Sequence, residues 1–172
     1  MAKKSAGILL YRINNNLLEI LLVHPGGPFW AKKDLGSWSI PKGEFADDEI
    51  PLEAAKREFK EETGIDVSGE FIELTPIRQH SGKIVHGFAI KGDIDPKSIK
   101  SNTFEMEWPP KSGQKQAFLE IDRGEWFNLG NGKIKINKFQ AALLDELAKK
   151  LNMEDQLSIN ESSDHSPQLG LF

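Results

Sequence analysis

The sequence predicts an α/β fold, and three observations carry that reading. Residues 5–12 and 17–24 are apolar, strand-like runs with Asn14, Asn15 and Asn16 between them. Residues 51–63 and 137–151 carry apolar residues at helical spacing. Between the helices, the run I-V-H-G-F-A-I is β-branched and aromatic enough for a central strand. The chain has 172 residues, enough for one domain with a real core. Hydrophobic residues at 38% and charged residues at 28% fit a globular chain. The net charge of −4 argues against a stable nucleic-acid partner, so an anionic ligand needs a local basic pocket. With no cysteine there is no disulfide, thiolate metal site or catalytic thiol. No apolar run is long enough for a signal peptide or a membrane span, and a cytoplasmic location is expected.

In chain order, the three asparagines tolerate turn conformations and make residues 5–24 a β-hairpin. Pro25, Gly26, Gly27 and Pro28 then break regular structure. Residues 29–38 form a loop holding Phe29, Trp30, Trp38, Lys32 and Lys33. Aromatic faces stack on bases and lysines meet phosphates, although the same residues also serve ordinary loop packing. Residues 39–41 read as a short strand leading into Lys42 and Gly43.

The first helix begins near residues 48–51 and ends at Gly64. Pro51 suits its first turn, where a missing N–H costs nothing. Gly64 takes the left-handed conformation that closes a helix. Leu52, Ala55 and Phe59 form one stripe, facing a core. Glu58, Glu61 and Glu62 fall on the adjoining wedge at i, i+3 and i+4, while Glu53, Lys56 and Lys60 face solvent. Like charges so placed oppose the helix by roughly 0.2–0.5 kcal/mol per pair. A hard divalent cation offsets that repulsion, and so do salt bridges on a solvated face.

Residues 43–65 as a whole resemble the Nudix hydrolase signature. Gly43, Glu49, Arg57, Glu58, Phe59, Glu61, Glu62, Gly64 and Ile65 stand at every defined position of it. The resemblance implies an α/β/α sandwich with a mixed sheet over residues 1–151. It implies Mg²⁺ or Mn²⁺ held by Glu58, Glu61 and Glu62, and hydrolysis of a nucleoside diphosphate linked to another group. Glu58 or Glu62 then acts as base, and Arg57 orients the glutamates, its planar fork matching carboxylates in pairs. The tract W-S-I-P-K-G-E is similar to the approach to the signature in diadenosine polyphosphate hydrolases. By that likeness Lys42 touches substrate phosphate and the Gly43 carbonyl ligates metal.

After the helix, residues 77–80 and 83–91 pair around Ser81 and Gly82. Residues 102–108 alternate, with Phe104, Met106 and Trp108 on one side and Glu105 and Glu107 on the other. Residues 111–115 form a basic loop in which Lys115 is a phosphate clamp or a solubilising turn. Residues 118–127 resemble a segment of diadenosine tetraphosphate hydrolases in which a Glu six residues before a Trp approaches the metal. Here that position is Glu120, before Trp126, a distal metal ligand or base, with Glu107 and Glu105 behind it. In the last helix Asn137 caps, and Phe139, Leu143, Leu147 and Leu151 make the buried stripe. Residues 152–172 turn polar and are expected to be a mobile tail, whose last residues, Leu169 to Phe172, are able to dock on a neighbouring subunit.

Three functions compete on the sequence. The first is asymmetric cleavage of diadenosine polyphosphates. The second is nucleoside triphosphate pyrophosphohydrolysis. The third is a non-catalytic nucleotide-binding module, which typically loses signature glutamates that this chain keeps. The expected partner is a small nucleotide, and the protein is a monomer or homodimer.

Overall fold

β1 (Lys4–Asn14) and β2 (Leu17–Pro25) form the opening hairpin in the computed structural model, which describes residues 3–158. Its turn residues Asn15 and Asn16 have φ of 51° and 65°. Two successive left-handed residues match the twist of a tight hairpin, and asparagine tolerates that region better than other side chains. β2 pairs only with the far half of β1, from Tyr11 to Asn14. The near half, Lys4 to Gly7, pairs with β3 (Lys42–Phe45). Residues 39–45 are thus wedged between the two strands. Ser39 bridges Val23 on β2, but the ladder to β1 starts only at Lys42, three residues later than the sequence suggests. Pro41 is the reason: it has no N–H to give to a two-way ladder, although its carbonyl accepts from Ile8 N–H at 3.1 Å.

The other edge of β1 pairs in parallel with β6 (Ile84–Lys91), which also carries β4 (Ile72–Glu73) and β5 (Ile77–Arg78). β9 (Ile121–Asn128) lies antiparallel to β2. The sheet is therefore mixed, in the order β4-β6-β1-β2-β9. Strand alternation sends Ala6, Ile8 and Leu10 to one face, where α1 (Pro51–Thr63) buries Ala54, Ala55 and Phe59. Leu9 and Tyr11 point to the other face, where α3 (Ala141–Lys150) buries Leu143, Leu144 and Leu147. These three layers are the expected α/β/α sandwich. Phe59 is fully buried, and a side chain of its size contributes about 1.5–3 kcal/mol towards holding α1 on the sheet.

Three further segments depart from the sequence reading. A short helix, α2 (Leu129–Lys135), stands where no helix is expected; it begins at Asn128, whose side chain accepts from Asn131 N–H. Gly132 lets it lie close to β2, since a Cβ there would stand 2.6 Å from Ile20 Cδ1. The last helix starts at Ala141, because its first turn, Lys138–Gln140, is a 3₁₀ turn capped by Asn137. Phe139 leaves the core stripe and stacks on His80 instead. Finally, the start of the expected tail is docked. Gln156 is buried, accepts from Leu18 N–H at 2.8 Å and donates to Asn16 O at 2.9 Å. The remainder of that tail, 159–172, with its proposed docking motif, lies outside the described residues.

β7 (Thr103–Glu107) and β8 (Lys115–Leu119) form a separate hairpin. Its alternation is as expected, with Phe104, Met106 and Trp108 half-buried and Glu105 and Glu107 exposed. Phe104 packs on Gly27, where a Cβ would meet its ring at 3.0 Å, and Trp108 meets Phe29 edge to face. Among the described residues, no helix is long and apolar enough to cross a membrane.

Candidate active site

α1 begins at Pro51 and closes at Gly64, which has φ of 78° and donates its N–H to Lys60 O at 2.7 Å. Both ends are where the sequence places them. The sheet face of the helix carries its acids towards β3. Glu58 and Glu62 are each only 8% exposed, while Glu61 is half-buried beside them. The Glu58 carboxylate lies directly over Gly43, where a Cβ would stand 1.8 Å from Oε1. Glycine at 43 is therefore a requirement of close approach. Glu62 Oε1 accepts from Lys42 N–H at 3.2 Å.

Burial pushes the Glu62 carboxyl up to about 8; Glu120 and Glu58 add to this, while the Lys42 charge and amide oppose it. Burial also raises Glu58, helped by the Glu61 charge and opposed by Arg57. Lys42 is lowered, first by burial and then by the nearby Lys83, against the pull of Glu62, Glu44 and Glu58. Glu62 and Lys42 each favour the other's charge, yet desolvation outweighs that attraction for both.

Arg57 ties the acids together. Its Nε and Nη2 donate to the two oxygens of Glu49 at 3.2 Å each. Its Nη1 donates to Glu58 at 2.7 Å and to Glu61 at 3.0 Å. Arg57 thus contacts three of the glutamates of this stretch. The guanidinium is 40% exposed, so these bonds matter for direction more than for stability.

Glu120 sits at the junction of β8 and β9. Its N–H donates to Asn102 O at 2.8 Å and its carbonyl accepts from Gly26 N–H at 2.8 Å. Asn102 N–H in turn donates to Glu61 O at 3.0 Å, fixing the base of the β7–β8 hairpin to the end of α1. Burial and the Glu61 charge raise the Glu120 carboxyl. Glu120, Glu62 and Lys42 line one cleft of about 160 Å³. A larger cavity of about 490 Å³ lies between residues 96–101 and β9, but none of the glutamates lines it. The chemistry therefore marks the smaller cleft.

The other candidates are dispersed. Trp38 does not offer a stacking face. It is 1% exposed, its indole N–H donates to Asp34 at 2.8 Å, and its ring packs on His24 and Phe127. Backbone bonds to Lys135 and Asn137 hold it in the core. Phe29 at 61% and Trp30 at 39% exposure are the aromatics the loop presents. Lys32 is exposed on that loop. Lys115 lies at the far end of β8, about 17 Å from Glu120 at the rise of a strand. Glu105 and Glu107 are exposed on the hairpin, and Glu107 accepts from Gly113 N–H. Sequence reading gave no role to His24 or Asp122, which face each other next to Glu120. A single histidine inside an apolar strand carries no signal of its own.

Among the described residues, no three His, Asp or Glu side chains stand grouped at metal-binding separation. The donor chemistry nevertheless fits a hard cation: carboxylates whose burial the neighbouring Arg57 and Lys42 do not fully offset, with the Gly43 backbone directly beneath one of them.

A family model described as the NUDIX domain matches residues 1–147. The mRNA-decapping enzyme subunit 2 of Saccharomyces cerevisiae is 32% identical over 120 residues, covering 67% of this chain and 10% of that protein. The RNA pyrophosphohydrolase of Bartonella tribocorum is 30% identical over 107 residues, covering 54% of this chain and 57% of that protein. The chain thus spans about a tenth of the yeast relative's length and somewhat over half of the bacterial one's. A Caenorhabditis elegans Ap4A hydrolase structure, a binary complex, superposes with a TM-score of 0.59 at 22% identity, covering 88% of this chain and 98% of that one. That likeness is one of fold. The family match takes in the whole glutamate helix, the Gly43 strand and Glu120, and on it this chain belongs to the Nudix family.

Proposed function

We propose that this chain is a divalent-metal-dependent pyrophosphohydrolase that cleaves diadenosine polyphosphates asymmetrically, by attack of water at phosphorus. The observation that supports the metal-dependent part of this reading is that Glu62 and Glu120 line one cleft, with Glu58 over Gly43 and Glu61 joined to Glu58 through Arg57; the diadenosine substrate rests on the likeness of the tract W-S-I-P-K-G-E. Glu58, Glu61, Glu62, Glu120 and the Gly43 carbonyl would hold the cation, Mg²⁺ in the first instance. When bound, it neutralises phosphate charge and acidifies water. The chain's own residues do the rest. Glu62 and Glu120 line the same cleft, and in its ionised form whichever of them the cation leaves free would take a proton from water. Lys42 faces the phosphates from the cleft wall, and Arg57 keeps the carboxylates aligned. Phe29 and Trp30 replace Trp38 as the surfaces for a base, with Lys32 beside them.

Incubation with diadenosine tetraphosphate and Mg²⁺ is expected to yield ATP plus AMP. Absence of turnover by folded, metal-bound protein overturns the substrate assignment. A second reading, removal of phosphate from RNA 5′ ends, draws support from the names of the relatives; a 5′-triphosphorylated oligonucleotide in the same assay tests it. Pyrophosphate release from single nucleoside triphosphates would instead favour a nucleotide-clearing role. Retention of every signature glutamate speaks against a module that only binds.

Gly43→Ala is a sharp test of the cleft geometry. The new methyl must push aside the end of a flexible side chain, Glu58, so the fold should survive. Turnover is expected to fall about 10- to 100-fold, the usual effect of disturbing the support of a metal site. A folded Gly43→Ala protein at full activity would contradict the placement of Glu58.

A further inference from the structure

We propose that His24, acting through Asp122, is a positioning residue that sets Glu120 and couples it to the loop of residues 26–35; this rests on the reading of Glu120 given above. His24 is fully buried near the end of β2. Its Nδ1 lies 3.0 Å from both oxygens of Asp122, and its Nε2 lies 2.6 Å from Lys33 O. The two ring nitrogens thus each face an acceptor, the Asp122 carboxylate on one side and the Lys33 carbonyl on the other. One side chain thereby joins two segments that are distant in sequence, one bearing Lys32 and Trp30 and the other Glu120.

The backbone around Asp122 explains why such a tie is needed. The β2–β9 ladder breaks between His24 and Pro25: Arg123 faces His24, Ile121 faces Pro25, and Asp122 is the extra residue of a bulge. Bulges re-aim side chains and interrupt pairing. Two residues before the bulge stands Glu120, held by Gly26 N–H on its carbonyl. Gly26 approaches so closely that a Cβ would stand 2.0 Å from Leu119 O. The direction of Glu120 therefore depends on how residues 24–26 and 119–122 interlock, and the His24–Asp122 pair is the side-chain lock of that junction. Histidine ligands of metals are commonly oriented by a hydrogen-bonded carboxylate; here the order is reversed, with a histidine fixing the strand that carries a carboxylate.

The test uses the full chain and needs no substrate. Mn²⁺ affinity is measured by isothermal titration calorimetry for wild type, Asp122→Ala, Asp122→Asn, Glu120→Gln and the Glu120→Gln/Asp122→Ala double variant. Asp122→Ala removes the acceptor for Nδ1 and is expected to weaken Mn²⁺ about tenfold. Asp122→Asn keeps an oxygen acceptor and is expected to restore most of that loss. The double variant is expected to bind like Glu120→Gln alone, because Asp122 acts through Glu120. Independent, multiplicative losses overturn the proposal, as does wild-type affinity in Asp122→Ala. Wild-type affinity in Glu120→Gln removes the Glu120 assignment and this proposal with it. No Mn²⁺ binding by wild type removes the metal-dependent reading altogether. Thermal melts of each variant show whether it is folded. With a turned-over substrate, Asp122→Ala should lower kcat while leaving KM within about twofold, a split that general destabilisation does not produce.

Discussion

Glu61→Gln is expected to lower turnover by about 100-fold or more while the protein melts within a few degrees of wild type. The side chain is 41% exposed, so the fold does not depend on burying it. Its charge, however, is felt at both Glu58 and Glu120, and its carboxylate shares the Arg57 Nη1 donor with Glu58. Gln keeps the shape and one acceptor oxygen but removes the negative charge. A divalent cation then loses one of its oxygen anions, and Arg57 is drawn towards Glu58 and Glu49. Glu53→Gln is the matching control, because Glu53 lies on the solvent side of the same helix with only a 3.7 Å contact to Lys56. Steady-state rates and melting curves of the two variants make the comparison. Equal losses in both would mean that helix charge in general matters, and the wedge does not. Substantial activity in folded Glu61→Gln would remove it from the metal set.

Much of this site was legible because it is local. Pro51, Gly64 and the i, i+3, i+4 spacing of three glutamates fix a helix and its acidic wedge within one continuous stretch. Glu120 was reachable only through a likeness in the segment around Trp126, and the structure carries it to the same cleft as Glu62. What the sequence hid depends on pairings between distant residues. Trp38 reads as a loop aromatic, but strand-like bonds to Lys135 and Asn137 draw it into the core. Gln156 reads as tail, but its amide completes the turn of the first hairpin, 140 residues away from Asn16. α2 has two glycines and weak helical propensity; it exists because Asn128 caps it and Ile20 lies beneath Gly132. None of these has a local pattern to betray it, since the free energy comes from the partner.

In the presence of EDTA, the protein is expected to lose stability as pH rises from about 5 to about 8.5, and Mg²⁺ is expected to reverse that loss. Glu62 is the main cause. Its carboxyl moves from an ordinary 4.5 to about 8 on folding. Below 4.5 it is protonated whether folded or unfolded, and burial is tolerated. Between 4.5 and 8 the unfolded chain releases the proton while the folded one keeps it. The folded state then binds more protons, so its stability falls as pH increases. Above 8 both states are ionised, and the full penalty of a buried carboxylate remains. Glu58 and Glu120 are shifted in the same direction and widen the effect. Lys42, lowered by burial, works the other way below its ordinary 10.5. Over this range the metal-free melting temperature should drop on the order of 5–10 °C. A cation binds the ionised carboxylates, so Mg²⁺ should raise the melting temperature more at pH 8.5 than at pH 5.5. Glu62→Gln should flatten the metal-free profile, raise its alkaline end and shrink the Mg²⁺ increment. Melting curves at the two pH values, with and without Mg²⁺, decide the matter: a profile that rises with pH in EDTA, or an unchanged Mg²⁺ increment in Glu62→Gln, would show that Glu62 is neither buried as a charge nor a metal ligand.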